Sequence, residues 1–217
     1  MRQVFAPGCA LALYKPQLAQ RLHDVLAENV GRIETHLTCC RHDPQFTVET
    51  EVINVCPGCD KRYRNDHEHT STTSLWEILA AADFFPFPDY QGKAMTIIDA
   101  CPTRDQERVH AAIRTLLRKM NISLIEPANT GPRSICCGDS LWGEVATERV
   151  KAQMTRRASE MPVEDVVVYC VSCSLAVRIG GKRPRYMIDL LFGEETTPPG
   201  CDLDEWHHIL DDFIAAH

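Results

Sequence analysis

The sequence predicts an α/β protein of two pseudo-symmetric halves, each built on a parallel sheet. Three observations predict it. Short apolar runs of strand length alternate with stretches of helical spacing, which is the pattern of βαβ units and parallel sheets. A one, two, two pattern of cysteines occurs twice along the chain. Those cysteines follow the expected strands, at the sheet ends where ligands gather in such folds.

Taken in order, Val4-Phe5-Ala6 is an apolar run ending at Pro7-Gly8-Cys9, a strand that delivers a cysteine. Residues 15–30 place Leu18, Leu22, Val25, Leu26 and Val30 at helical spacing. Ile33 to Leu37 reads as a strand leading to Cys39-Cys40, and Val52 to Val55 as a third leading to Cys56. Arg62 to Thr73 is polar and reads as a surface loop. Residues 74–84 are expected to be helical, with Ser74 and Glu77 forming a capping box. Phe84-Phe85-Pro86-Phe87-Pro88 breaks regularity and marks a boundary.

The pattern then restarts. Ala94 to Ile98 is a strand before Cys101, and residues 104–120 form a helix with Val109, Ile113, Leu116 and Leu117 on one face. Ile122 to Ile125 is a strand. Residues 140–160 read as one long helix capped by Asp139 or Ser140. Val166 to Tyr169 delivers Cys170, and Tyr186 to Phe192 closes the half. Thr196 to Gly200 is a linker before an amphipathic helix, Leu203 to Ala216, of open docking. The expected organisation is a shortened first half over 1–88, a second over 89–195, and a tail over 196–217. Both halves would be Rossmann-like, facing each other, with metal sites at strand C-terminal ends.

The cysteine pattern is Cys9, Cys39-Cys40, Cys56-Pro57-Gly58-Cys59, then Cys101, Cys136-Cys137-Gly138, Cys170-Val171-Ser172-Cys173. Ten of the eleven cysteines belong to it; Cys201 stands outside and is expected to be a free thiol. The offset between halves is 92 residues at the first cysteine, 97 at the pair and 114 at the C-x-x-C. Most of the drift arises because 32 residues separate Cys137 from Cys170, and 15 separate Cys40 from Cys56. The first half has no room for a counterpart of the 140–160 helix.

Composition bounds the function. A formal charge of −7 argues against a nucleic-acid surface. No apolar run approaches the roughly 18 residues of a membrane helix, and the N-terminus lacks a signal-peptide core. The expected location is cytoplasmic, where thiols stay reduced, so metal ligands or catalytic thiols are favoured over disulfides.

Five thiolates cannot share a pocket unless cations join them, because each unpaired buried charge costs several kcal/mol or more. A lone zinc takes four ligands, so five per half is one too many. Adjacent residues in an extended segment point opposite ways, which suits Cys136 and Cys137 to a body of several atoms. Gly138 would let the backbone turn there. Helix N-termini after Gly138 and Cys173 would place positive dipole ends near an anionic iron–sulfur core. Zinc and purely structural thiols remain the alternatives.

On these motifs the sequence resembles the CCG-domain (cysteine-rich domain) family, which includes the B subunit of heterodisulfide reductase and related subunits of lactate, glycolate and glycerol-3-phosphate oxidation. Cys101, Cys136-Cys137-Gly138 and Cys170-Val171-Ser172-Cys173 match its motif fully; Cys9, Cys39-Cys40 and Cys56-Pro57-Gly58-Cys59 match in type and order. The resemblance covers about residues 1 to 193. It implies one or two non-cubane [4Fe–4S] clusters on these ten cysteines. It also implies thiol/disulfide oxidoreduction or electron transfer, with a disulfide as substrate. Three departures bear on it: Arg41 follows the first pair, the second gap is halved there, and Asp139-Ser140-Leu141-Trp142 replaces a glycine-rich run. The first site is left open to a different cluster, to greater exposure, or to zinc with one thiol spare. A zinc-stabilised scaffold and a cluster-bearing sensor are the alternatives to catalysis.

His42 follows the first pair and is the candidate proton donor, since histidine titrates near neutrality. His67 and His69 are assigned to the polar loop, with a role at the first site as the alternative. His207-His208 are expected to be solvated, as is Lys182-Arg183-Pro184-Arg185, which is alternatively a dock for an acidic partner. Trp76, Trp142 and Trp206 are expected in core or interface. There is no run of four closely spaced cysteines for a conventional cubane and no dinucleotide fingerprint. Electrons would come from a partner protein carrying flavin or ferredoxin-like iron–sulfur clusters.

Overall fold

The structure, a computed structural model, describes residues 1–198 and 202–217. Cys201 and the end of the 196–200 linker lie outside the described residues. The chain divides into two compact units, Met1–Phe85 with His207–His217, and Pro86–Trp206.

The first unit runs β1 (Arg2–Ala6), α1 (Cys9–Tyr14), α2 (Pro16–Asn29), β2 (Glu34–Thr35), β3 (Thr50–Asn54), α3 (Pro57–Asp66), β4 (Thr70–Ser74) and α4 (Leu75–Ala81). Its sheet is wholly parallel in the order β2-β1-β3-β4. Val4, Phe5, Val52 and Ile53 are buried on both sheet faces, as central parallel strands require. Leu18, Leu22 and Leu26, four residues apart, press α2 onto the sheet with no exposed surface. Three helices here open at or just after a cysteine or proline: α1 at Cys9, and α2 and α3 with proline in the first turn, where its missing N–H is harmless.

The polar stretch from Arg62 to Thr73 is a loop only over the turn at residues 67–69. It completes α3 and forms most of β4, whose Thr and Ser residues pair with β3 from Thr50↔Thr70 to Asn54↔Ser74. An edge strand needs little apolar character, and β-branched threonine suits it. Ser74 does precede α4, but its side chain makes no capping hydrogen bond, so the expected capping box does not form.

The second unit runs β5 (Lys93–Ile97), α5 (Glu107–Lys119), β6 (Ile122–Leu124), α6 (Thr147–Ser159), β7 (Asp165–Val168), α7 (Val171–Ile179), β8 (Arg183–Tyr186) and α8 (Met187–Leu191). Its sheet is again wholly parallel, in the equivalent order β6-β5-β7-β8. Val109, Ile113, Leu116 and Leu117 of α5 are buried as their spacing predicts. The helix expected over 140–160 begins only at Thr147. Asp139–Leu141 is a single 3-10 turn, and Gly143, at φ +82°, breaks the path to the helix.

Lys182-Arg183-Pro184-Arg185 is not a free solvated face. Arg185 and Arg183 donate to Asp165 on the neighbouring strand at 2.8 and 3.3 Å, and Lys182 reaches the Val163 carbonyl at 3.3 Å. The last helix, α9 (Leu203–Ala216), gives its residues through Trp206 to the second unit and the rest to the first. His208 is exposed, but His207 is buried, contrary to expectation. Trp76 and Trp206 are buried; Trp206 donates to Ser172 at 3.2 Å and Trp142 to Asp204 at 2.7 Å.

Within each unit the strand order reverses between the first and third strands. Outside the carboxyl ends at such a switch point lies a crevice where α/β sheets bind ligands. The cysteines emerge there.

Candidate metal centres

In the second unit β5 leads through Ile98-Asp99-Ala100 to Cys101, which opens a 3-10 turn. The segment after β6 carries Cys136 and Cys137. Cys170 is the N-cap of α7, and Cys173 sits in its first turn. The five thiols form a row: Cys101 donates to Cys136 at 3.7 Å, Cys136 and Cys137 are in contact, Cys173 donates to Cys137 at 3.2 Å, and Cys173 meets Cys170. The Gly138 N–H donates to the Cys136 sulfur at 3.4 Å, and Ser140 Oγ lies 3.0 Å from it.

The first unit repeats the row with different neighbours. Cys9 bonds Cys39, Cys39 bonds Cys40, Cys40 bonds Cys59, and Cys59 bonds Cys56. Cys56 is the N-cap of α3 and Cys59 lies in its first turn, as Cys170 and Cys173 do in α7. Positive helix ends therefore face both sets of sulfurs. The expected helix N-terminus directly after Gly138 is absent, since only a 3-10 turn follows.

Hydrogen bonding sorts the thiols. Cys136 is held far below the usual thiol range, first by Cys101, then by Cys137, with Ser140 and the Gly138 N–H adding to it. Cys101 is pushed up by its bond to Cys136 and by burial, and Cys137 is pushed up by Cys136 and burial. In the first unit Cys40 and Cys9 pull Cys39 down to about 2, and Cys59 with backbone N–H groups pulls Cys56 down to about 7. Cys40 rises to about 12, chiefly through Cys39. Hydrogen bonding in each row thus favours the thiolate on an acceptor sulfur, Cys136 in the second unit and Cys39 in the first.

The ten cysteines are free. Among the described residues no group of three or more His, Cys, Asp or Glu is arranged to hold a single metal ion. A row presents its sulfurs in sequence, whereas a mononuclear site needs four around one point. Five sulfurs in a row, with backbone N–H donors and helix ends beside them, fit a body of several metal atoms. Two glycines shape the cradle. A Cβ on Gly8 (φ +80°) would lie 3.1 Å from Cys56 Cβ and 3.3 Å from Cys59 Sγ; one on Gly138 (φ +115°) would lie 2.9 Å from Met154 Cγ.

A cavity of about 310 Å³ opens beside Cys9, Cys39, Cys40 and Cys59, with Leu37, Tyr63 and Phe213 among its walls. His42 is exposed, and its backbone N–H donates to the Cys39 carbonyl at 2.8 Å. His67 caps the end of α3 and opens the short turn to β4, so the loop expectation holds there; its ring packs on Tyr63 and its Nε2 is 2.9 Å from the Cys40 carbonyl. His69 pairs with Glu49 at 3.0 Å at the surface.

Sequence reasoning missed Asp99, which is fully buried. Arg114 donates to its two oxygens at 2.6 and 2.8 Å. Burial alone would raise its carboxyl; Arg114 and the Gly131 N–H overcome this and hold it at about 2. The available signal was a single carboxylate inside the apolar run Ile97-Ile98-Asp99-Ala100.

Residues 95–178 match the cysteine-rich domain family CCG. This supports a CCG-domain iron–sulfur protein, and the matched span contains all five thiols of the second row. A curated relative described as "Probable membrane-anchored ferredoxin", from Chromohalobacter salexigens, is 27% identical over 162 residues, covering 72% of this chain and 23% of the relative. The chain thus spans about a quarter of that relative's length. No solved structure matches the chain. Among the described residues no helix is long and apolar enough to cross a membrane.

Proposed function

We propose that the chain is an iron–sulfur electron-transfer protein of the heterodisulfide-reductase type. Cys101, Cys136, Cys137, Cys170 and Cys173 would hold a non-cubane [4Fe–4S] cluster. Cys9, Cys39, Cys40, Cys56 and Cys59 would hold a second cluster, with zinc and one spare thiol as the alternative there. The observation that carries this reading is the five-sulfur row at the switch point of each sheet. The family match over the second row and the likeness to a protein described as a ferredoxin support it.

When bound, such a cluster supplies one-electron steps between a flavin or ferredoxin-like partner and an acceptor, for which a disulfide is proposed. The chain's own part is to hold and tune. The Gly138 N–H and the Ser140 hydroxyl stabilise charge on the Cys136 sulfur, and the α3 and α7 N-termini favour an anionic core. His42, exposed beside the Cys39 carbonyl, is the proposed proton donor to a cleaved disulfide. Ten free thiols fit a reducing, cytoplasmic compartment. The test is a redox titration of anaerobically purified protein, followed by absorbance and paramagnetic resonance, then disulfide turnover with an artificial donor. Reversible signals with turnover support the oxidoreductase; reversible signals without it leave electron transfer alone; no redox signal removes the proposal.

A further inference from the structure

Asp99 has no part in the reading above, yet it is the most heavily bonded side chain beside the second thiol row. Besides Arg114, its carboxylate accepts from the Thr130 hydroxyl at 2.9 Å, the Gly131 N–H at 2.7 Å and the Tyr169 hydroxyl at 3.1 Å. Its backbone carbonyl accepts from Ser134 Oγ at 2.6 Å. Arg114 is braced in turn by Glu126 at 2.9 Å.

The partners come from three separate stretches. Asp99 lies two residues before Cys101. Thr130, Gly131 and Ser134 belong to the segment that reaches Cys136-Cys137. Tyr169 immediately precedes Cys170. Thr103, just past Cys101, closes the mesh by bonding the Ala100 carbonyl at 2.8 Å and meeting the Tyr169 hydroxyl at 2.9 Å and His110 Nε2 at 3.1 Å. A buried carboxylate is retained only where donors satisfy it, and hydrogen bonds to a buried charge are the strong ones. Loops otherwise free to separate are therefore fastened at one point.

We infer that Asp99 is a positioning residue that ties the three cysteine-bearing segments of the second unit into one frame, so that the thiol row is set before anything binds it. Its role as a frame for metal ligands rests on the proposed function, and its test separates the two.

Metal-free protein is labelled with iodoacetamide, and the rate at each cysteine is read by peptide mass spectrometry. Asp99→Ala is expected to speed Cys101, Cys136 and Cys170 together by about tenfold or more, because losing bonds to a buried charge promotes local opening. Cys9 and Cys56 of the first unit stay unchanged. Tyr169→Phe speeds Cys170 alone and Ser134→Ala speeds Cys136 alone; these mild variants decide the matter if Asp99→Ala does not fold. Arg114→Lys keeps the charge but loses the paired donors and falls between wild type and Asp99→Ala. Iron and sulfide are then added to each variant. A wild type that takes up no iron while the labelling pattern holds removes the ligand reading and leaves the frame. Iron uptake with no selective change at the three thiols in Asp99→Ala, or none in the two single-tether variants, overturns the frame.

Discussion

The two units share a strand order and a five-thiol row but fasten that row by different means. In the second, a buried charge at Asp99 gathers donors from three segments. In the first, the equivalent position before Cys9 is Pro7, and the row is packed instead: Cys9, Cys39, Cys40 and Cys59 sit in one apolar cluster with Val4, Val52, Tyr63 and Ile214. Polar ties there are fewer and peripheral, such as His67 on the Cys40 carbonyl at 2.9 Å, Cys39 N–H on the His217 carbonyl at 3.3 Å, and Asn54 on Asp60 at 3.0 Å. Sheet topology decides where the thiols meet; local sequence decides what holds them.

The same comparison explains why one cysteine pair is followed by glycine and the other by arginine. The longer gap of the second unit contains α6, whose Val150 and Met154 pass so close to Gly138 that a Cβ would meet Met154 Cγ at 2.9 Å and Met154 N at 3.2 Å. The first unit has no such helix between Cys40 and β3. Arg41 is not among the non-glycine residues of positive φ, and its guanidinium reaches Asp211 at 3.1 Å.

Breaking a ligand is expected to have the largest effect. Cys136→Ser abolishes the second unit's metal-dependent absorbance and resonance signals and leaves those of the first, whereas Cys201→Ser changes neither. Gly138→Ala comes next: strained φ and the Met154 contact cost roughly 2–3 kcal/mol of unfolding free energy, while Arg41→Gly costs a few tenths. Thermal or denaturant unfolding of the two variants measures the difference. Acid should also act unequally. Asp99 is held at about 2 against an ordinary 3.8. A depressed carboxyl stabilises fully above the unfolded value, so roughly 2 kcal/mol is present above pH 4 and is lost as pH falls towards 2. Asp99→Asn flattens that loss in acid titrations of the second unit. The smallest effect is that of His67→Ala, which loses about 1 kcal/mol with one hydrogen bond, read as faster labelling of Cys40.

Much of this was legible because parallel-sheet cores announce themselves. Val52-Ile53 and Val166-Val167-Val168 read as buried strands, and each strand ends two residues before a cysteine. The misses share a cause: their signal lies in partners, not in pattern. Thr70–Ser74 and Arg183–Tyr186 are polar edge strands that a hydrophobic period does not detect, and Gly143 stops a helix that composition favoured. Helices α1, α3 and α7 open at or next to Cys9, Cys56 and Cys170, so α7 starts ahead of the N-terminus expected after Cys173. Asp99 is a single polar letter whose five donors are scattered from Arg114 to Tyr169. The thiol positions could be inferred from spacing; the frame around them could not.

The central claim is that each row of sulfurs closes around a polynuclear core. The most direct measurement is a count of iron, acid-labile sulfide and zinc on anaerobically purified protein, wild type beside Cys136→Ser. The account predicts brown protein with several irons matched by sulfide, and a fall in both in the variant. Colourless wild-type protein carrying one or two zinc ions and no sulfide would contradict it.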